Sequence, residues 1–245
     1  MFILGDIGNS ETKLFLVNSK GKILRRSSFS SKLITNSILN KKFSTLVYSF
    51  KNIEKILFCS VVPQNFLSIK KFISKRTKIK CHEIKDLNLR SIMNIKANYK
   101  QVGSDRLANA ISLLNNKDNF IILDFGTATT FDVVLKNKYK GGIIAPGVNL
   151  SLKTLVEKAK LIPNTKLTKI KNIIGKNTQN AVRSGFYWGY QGLIENMIKL
   201  IEKKYKKSFK IIFTGGLSHL FKDTIKKKIK VDRDLTIKGL LRLVD

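Results

Sequence analysis

Several residue types that usually constrain a fold are scarce in this chain. Its 245 residues hold two cysteines, two histidines, three prolines and one tryptophan. Cys59 lies inside the apolar run 56–62 and Cys81 stands beside His82, no C-x-x-C occurs, and His82 is far in sequence from His219. Neither a disulfide framework nor a zinc site is supported. Cys59 reads as a small core residue and His219 as a helix residue just after a double glycine. No apolar stretch has the roughly 20-residue length of a membrane helix, and Met1 leads straight into an apolar strand, with no charged region and signal helix. A soluble, cytoplasmic protein without a membrane partner is expected. Acidic residues are also few, 16 against 47 Lys and Arg, giving a net charge of +31 and a pI near 10.2.

Such a charge has two readings. Clustered cations would neutralise the phosphates of nucleic acid or of an anionic membrane and release counterions. Here, however, lysines occur in almost every segment, among them Lys41, Lys42, Lys70, Lys71, Lys136, Lys138, Lys203, Lys204 and Lys226 to Lys228, often beside Ile and Asn. There is no arginine-rich helix and no nucleic-acid motif. The positions favour a compositional bias spread over solvated faces, so no nucleic-acid partner is expected, while the charge can still speed capture of anionic substrates.

What is present is a pattern used twice. One apolar run ends in Asp6-Ile7-Gly8-Asn9-Ser10-Glu11-Thr12-Lys13 and another in Asp124-Phe125-Gly126-Thr127-Ala128-Thr129-Thr130. Each reads as a β-hairpin with a polar tip. Glycine lets backbone approach an oxyanion, N–H groups and hydroxyls donate to it, and an aspartate holds a cation that offsets its charge, so the tips suit nucleotide phosphates. Ile211 to Phe213 followed by Thr214-Gly215-Gly216 is a strand entering a double glycine before an apolar helix, suited to a nucleotide's sugar or base. An isolated D-x-G is a common turn. Three such elements in one chain carry more weight.

Periodicity gives strands Met1 to Asp6, Thr12 to Val17 and Lys22 to Ser27, a helix-compatible stretch from Ser31 to Asn52, strand Ile56 to Val62, helix Gln64 to Ser74 and strand Ile79 to Ile84. The pattern restarts with strands Phe120 to Asp124, Thr129 to Leu135 and Tyr139 to Ile144. Helices Leu150 to Lys160 and Thr178 to Lys203, strand Lys210 to Phe213 and helix Leu217 to Ile225 follow. The expected fold is α/β, two ribonuclease-H-like lobes (residues 1–115 and 116–245) around a central cleft, joined by a helix from Asp105 to Leu114. The run Gly141-Gly142-Ile143-Ile144-Ala145-Pro146-Gly147 has many breakers for a plain strand. It is either a strand ending in a turn or backbone passing close to a substrate.

In chain order the segments DIGNSETK, VGSDRLANA, DFGTATT, GGIIAPG, IGKNTQNAVRSGFYWG, TGG and LTIKGL resemble the type III pantothenate kinases, within the acetate and sugar kinase, heat-shock ATPase and actin superfamily. The resemblance runs from Asp6 to Leu240. It implies ATP-dependent phosphorylation of pantothenate to 4'-phosphopantothenate, an alcohol phosphotransfer at the start of coenzyme A biosynthesis, by a homodimer that uses Mg²⁺ and a monovalent cation, K⁺ or NH4⁺. It further implies that Asp6, Ile7, Gly8, Asn9, Ser10, Glu11, Thr12 and Lys13 wrap the ATP phosphates, with Asp6 near Mg²⁺, and that Thr127 touches ATP. Asp124 matches the monovalent-cation ligand. Asp105 matches the catalytic base, and Gly103, Ser104, Asp105, Arg106 and Thr178 belong to the pantothenate site. Where many relatives have Tyr-x-Asn-Pro this chain has Lys96-Ala97-Asn98-Tyr99, which leaves Tyr99 as a displaced substrate contact.

The chemistry agrees with these roles. Phosphoryl transfer to an alcohol needs cations and donors around the phosphates and a carboxylate aligned with the attacking hydroxyl. An arginine such as Arg106 meets an anionic substrate by bidentate hydrogen bonding. The bland alternatives make Asp105 a helix N-cap and Thr178 an ordinary polar residue at a helix start. Two other functions compete: a non-catalytic transcriptional accessory factor of the same family, which the charge would suit but which needs no complete phosphate and metal site, and a superfamily kinase for another alcohol such as a sugar. Aromatic and apolar residues Phe186, Tyr187, Trp188, Tyr190, Leu193 and Met197 on the long helix are the expected dimer surface.

Overall fold

Residues 2 to 7 form β1 (Phe2–Ile7), buried along nearly its whole length, which is why it reads as an unbroken apolar run and not as an alternating one. The structure is a computed structural model and describes residues 1–244. β1 pairs antiparallel with β2 (Glu11–Val17), which pairs antiparallel with β3 (Ile23–Ser30). Along β3 burial is partial and alternating until Phe29, whose buried ring carries the strand past the Ser27 end expected from sequence. Helix α1 (Asn36–Leu46) is shorter than the stretch 31–52 read from the sequence. Ser31 is held elsewhere, its N–H on the Ser10 carbonyl at 3.0 Å and its hydroxyl 2.8 Å from that of Thr12, and Thr35 then caps the helix by accepting from the Ile38 N–H. Leu39, Phe43 and Leu46 make the buried face of α1.

β4 (Lys55–Ser60) pairs in parallel with β1, and Pro63 at the first turn opens α2 (Pro63–Ser74). β5 (Cys81–Glu83) adds to β4, completing the order β3-β2-β1-β4-β5. One core joins the sheet to α1 and α2 through Ile3, Leu14, Phe43, Phe58, Ile69 and Phe72 among others. The two-residue β6 (Asn94–Ile95) pairs with Lys138 and Tyr139, and α3 (Ser104–Ser112) follows.

The second sheet repeats this plan. β7 (Asn119–Phe125) pairs antiparallel with β8 (Ala128–Leu135), and β9 (Lys138–Pro146) lies beyond β8. The Gly141-Gly142 run, with its many breakers, proves to lie inside β9; Gly141 has φ +100°, which only glycine adopts without strain. α4 (Val148–Lys158) and α5 (Thr178–Tyr205) lead to β10 (Lys210–Gly215), parallel to β7. The four-residue α6 (Ser218–Phe221) follows, and β11 (Ile229–Val231), parallel to β10, completes the order β11-β10-β7-β8-β9-β6. Its core includes Ile121, Phe131, Tyr187, Ile194, Ile198, Phe213 and Phe221.

The chain divides into two units, Met1–Leu114 with Asn137–Tyr139 and the segment from Asp234 on, and Asn115–Lys136 with Lys140–Arg233. The last helix, α7 (Leu235–Leu241), belongs to the first unit, where it packs on α3. A Cβ at Gly239 would lie 1.9 Å from the Ala108 carbonyl oxygen, so only glycine permits that approach. Thr236 donates to Asn109 at 2.9 Å, and Arg242 donates to the carbonyls of Ile111 and Leu114.

Candidate active site

In the first unit, the strand ends carry the polar residues. Asp6 lies one residue before the end of β1, opposite Cys59 of β4 in the parallel register. The Cys59 thiol donates to Asp6 Oδ1 at 3.4 Å. Burial and then the negative charge of Asp105 raise the Asp6 pKa, Lys13, paired across the hairpin with Asp6, opposes both, and the balance stands at about 6. Burial, followed by the charge of Asp6, also holds the Cys59 thiol well above its ordinary pKa, so it is a neutral donor. The tip closes with the Gly8 N–H on the Glu11 carbonyl at 3.0 Å; Asn9, Ser10 and Glu11 are exposed, and Thr12 is buried against Ser31. Ile7 is a core residue, so only its backbone is available at the tip.

Asp105 occupies the second position of α3, and the helix cap is Gly103. Its Oδ1 accepts from the Arg106 N–H at 2.8 Å, which is not the contact an N-cap residue makes. A Cβ on Gly103 would come within 2.4 Å of Asp105 Oδ1, so a larger residue here would displace that carboxylate. Burial raises the Asp105 pKa, countered by the Arg106 N–H and guanidinium and by Lys85. Asp6 and Asp105 are therefore two desolvated carboxylates in one electrostatic neighbourhood. Ser104 is buried, with its hydroxyl donating to Glu83. Tyr99 places its hydroxyl 3.4 Å from the Lys85 carbonyl, and its ring lies under the Arg90 guanidinium at 5.6 Å. A cavity of about 190 Å³ near the starts of β4 and β5, lined by Lys55, Ile56, Leu57, Ile79 and Val244, involves none of these acids.

In the second unit, Asp124 lies opposite Thr214 of β10, and the tip closes with the Gly126 N–H on the Ala128 carbonyl at 3.0 Å. Three sequence motifs meet at this tip. A Cβ on Gly215 would lie 2.6 Å from Asp124 Oδ1, and one on Gly147 would lie 2.0 Å from the Thr127 carbonyl oxygen. Gly215 also has φ +82°. The turn after β9 thus packs its glycine on the hairpin tip, and Gly215, the first of the double glycine, packs on the aspartate. Thr178 is exposed at the first position of α5, where the cap is Asn177, accepting from the Asn180 N–H at 2.9 Å. A Cβ on Gly175 would sit 2.2 Å from the Ala181 nitrogen, so the segment before α5 folds closely onto its first turn.

Sequence reading overlooked Glu83 and Lys85, which stand in an unremarkable stretch and become part of the site only through tertiary contact. The Glu83-x-x-Asp86 spacing, a capping box around a 3₁₀ turn, was the only local signal.

The family model for type III pantothenate kinase matches residues 2–200. The type III pantothenate kinase of Pelagibacter ubique is 60% identical over 242 residues, covering 99% of this chain and 98% of the relative. Among solved structures, a Campylobacter jejuni protein provisionally described as a Baf family transcriptional activator aligns with TM-score 0.64 at 20% identity, over 99% of this chain and 96% of that one. A Sinorhizobium meliloti protein provisionally described as a 2-dehydro-3-deoxygalactonokinase aligns with TM-score 0.63 at 9% identity, over 99% and 97%. At those identities the structures speak for the fold alone, the α/β fold shared by sugar kinases and actin-like ATPases. With the family model spanning most of the chain and a relative this similar over its whole length, the chain belongs to the type III pantothenate kinase family.

Proposed function

We propose that this chain transfers the γ-phosphoryl group of ATP to the 4'-hydroxyl of pantothenate, with Asp105 as the base. The hydroxyl oxygen forms a bond to the γ-phosphorus, the bond from that phosphorus to the β,γ-bridging oxygen breaks, ADP leaves, and the hydroxyl proton passes to the Asp105 carboxylate. The observation that carries this reading is the pair of desolvated carboxylates at the ends of β1 and the start of α3. Burial makes Asp105 a stronger base than an exposed aspartate, as proton abstraction near neutral pH requires. The Gly8 to Lys13 tip supplies N–H groups, hydroxyls and one cation to phosphate oxygens, and Thr127 supplies another contact to ATP. Gly103 and Arg106 flank the base at the pantothenate site, with Arg106 suited to the substrate carboxylate and Thr178 and Tyr99 as further contacts.

A divalent cation fits the first unit. Asp6 is a hard oxygen donor whose charge is opposed by burial and by Asp105, and a cation removes that opposition. Mg²⁺ held by Asp6 would neutralise charge on the phosphate oxygens. Asp124 offers an oxygen donor to K⁺ or NH4⁺, closed in by the glycine backbone at Gly215. The chain acts as a homodimer in the cytoplasm, an assembly supported by the only partial burial of Phe186, Trp188, Tyr190, Leu193 and Met197 along α5. Light scattering of an active preparation checks the assembly, with a monomer-only result counting against it.

The test of function is ADP formation from ATP with pantothenate, with sugars and with no acceptor, run side by side with Mg²⁺ and K⁺. Turnover with pantothenate alone is expected. Turnover with a sugar instead would make the chain a kinase for another alcohol.

A further inference from the structure

Glu83 is a half-buried carboxylate that the reaction does not consume. Its Oε2 accepts from the Lys85 N–H at 2.7 Å, and its own N–H donates to Asp86 Oδ2 at 3.1 Å, the reciprocal bonds of a capping box. A cap would need no more than that. Yet Oε1 also accepts from the Ser60 N–H at 3.3 Å, and the Ser104 hydroxyl donates to the same carboxylate. Ser60 is the last residue of β4, directly after the Cys59 that contacts Asp6. Ser104 is the first residue of α3, directly before Asp105. One side chain therefore ties the strand beside one acid to the helix that bears the other.

The tie matters because α3 begins without a side-chain cap: Gly103 occupies that position and has no side chain to offer. A side chain at Gly103 would also push on Asp105 Oδ1, which lies 2.4 Å from where its Cβ would stand. The start of the helix that aims Asp105 is fixed laterally by Ser104, and Ser104 is buried with its hydroxyl on Glu83.

We infer that Glu83, through Ser104, is a positioning residue that holds Asp105 in line with the acceptor hydroxyl. The inference rests on the reading of Asp105 as the base. A misplacement of about 1 Å at a reacting group costs up to roughly 10²-fold, so a tie of this kind acts on turnover and leaves nucleotide binding alone.

The experiment uses the full chain in four forms, Ser104→Ala, Glu83→Gln, their double variant and Asp105→Asn, with kcat, both KM values and the melting temperature measured for each. Ser104→Ala removes only the link to α3 and leaves Glu83 its backbone partners. It should lower kcat about 10-fold with the KM for ATP unchanged and folding intact. Glu83→Gln should fall at least as far, and the double variant no further than Glu83→Gln, because the two residues form one link. Full kcat in a folded Ser104→Ala enzyme overturns the inference, and so do strictly additive losses in the double variant. If Glu83→Gln melts below the assay temperature, the Ser104→Ala result decides alone. Asp105→Asn separates the two ideas. Its inactivity beside a fully active Ser104→Ala enzyme defeats the positioning role only, whereas its full activity defeats the base.

Discussion

The two hairpins share a topology and differ in what surrounds their aspartates. In the first, Asp6 faces a thiol across the parallel register and shares its field with Asp105. In the second, Asp124 sits opposite Thr214 and is closed in by Gly215, while Gly147 presses on the carbonyl of Thr127. The turns differ as well: residues 8 to 11 lie between the paired Ile7 and Thr12, but only residues 126 to 128 between Phe125 and Thr129. One tip is longer and its acid has an acidic neighbour, the arrangement to which the proposed reading assigns the divalent cation and the proton transfer. The other is tight and walled by glycine backbone, an arrangement that permits close approach. A duplicated fold has thus put a pair of buried acids beside one tip and close backbone packing beside the other.

The sharpest way to break that comparison is to remove one acid from each unit. Asp105→Asn should reduce kcat by about 10² to 10⁴, the usual worth of general-base assistance, with ATP binding retained. Asp124→Ala should cost less at saturating K⁺ and should instead flatten the response to replacing K⁺ by Na⁺. Equal losses and equal cation responses in the two variants would erase the division of labour. Steady-state rates against cation concentration decide it.

Burial of Asp6, reinforced by its acidic neighbour, makes a pH prediction for the first unit alone. The folded pKa of Asp6, about 6, lies above its ordinary value of 3.8, so between these values the folded state holds more protons than the unfolded state. Stability of the metal-free protein should therefore fall as pH rises from about 4 to about 6, with a contribution from Asp6 of at most about 3 kcal/mol. Asp105 and Glu83, whose pKa values are also raised, act in the same sense. Mg²⁺ should restore stability near neutral pH. In Asp6→Asn, metal-free stability near pH 7 should rise and the Mg²⁺ effect should shrink. Thermal melts across this range with and without Mg²⁺ are the check, and an Asp6→Asn profile identical to the parent would remove the Asp6 assignment.

Glycine substitutions probe the other half of the contrast. A Cβ at Gly147 meets backbone at 2.0 Å, whereas one at Gly8 finds only the Glu11 carbonyl at 3.1 Å. Gly147→Ala should destabilise the protein by about 1–3 kcal/mol, the scale of overpacking, and Gly8→Ala by clearly less. Denaturant midpoints compare them directly.

Most of this plan was legible because apolar runs ending in Asp-x-Gly mark both hairpins and the Gly215 step announces itself as a strand meeting a double glycine. The strands β6 and β11 were not, since two or three residues amid lysines carry no period. Helix α7 holds Gly239 for the sake of the Ala108 carbonyl, and a glycine in a seven-residue helix hides the helix. Cys59 reads as a core residue and is one, but its contact with Asp6 depends on the β1–β4 register. Glu83 depends on three elements converging, which no local pattern encodes.

The smallest expected effect compares matched threonines. Thr12 and Thr129 are the first paired residues after their tips and both are fully buried. Thr12 exchanges a 2.8 Å hydrogen bond with Ser31, whereas the Thr129 hydroxyl has no partner among the described residues. Replacing Thr12 by valine strands the Ser31 hydroxyl, also buried, and should cost about 1–2 kcal/mol. Replacing Thr129 by valine removes an unsatisfied oxygen while keeping the shape, and should be neutral or slightly stabilising in the ligand-free protein. The useful reading comes from adding ATP. If the second tip is a place for close backbone approach, Thr129→Val leaves the KM for ATP unchanged. A rise of 10-fold or more, about 1.4 kcal/mol of lost binding, would show that this hydroxyl is held in reserve for the nucleotide and that the second tip binds through side chains as the first does.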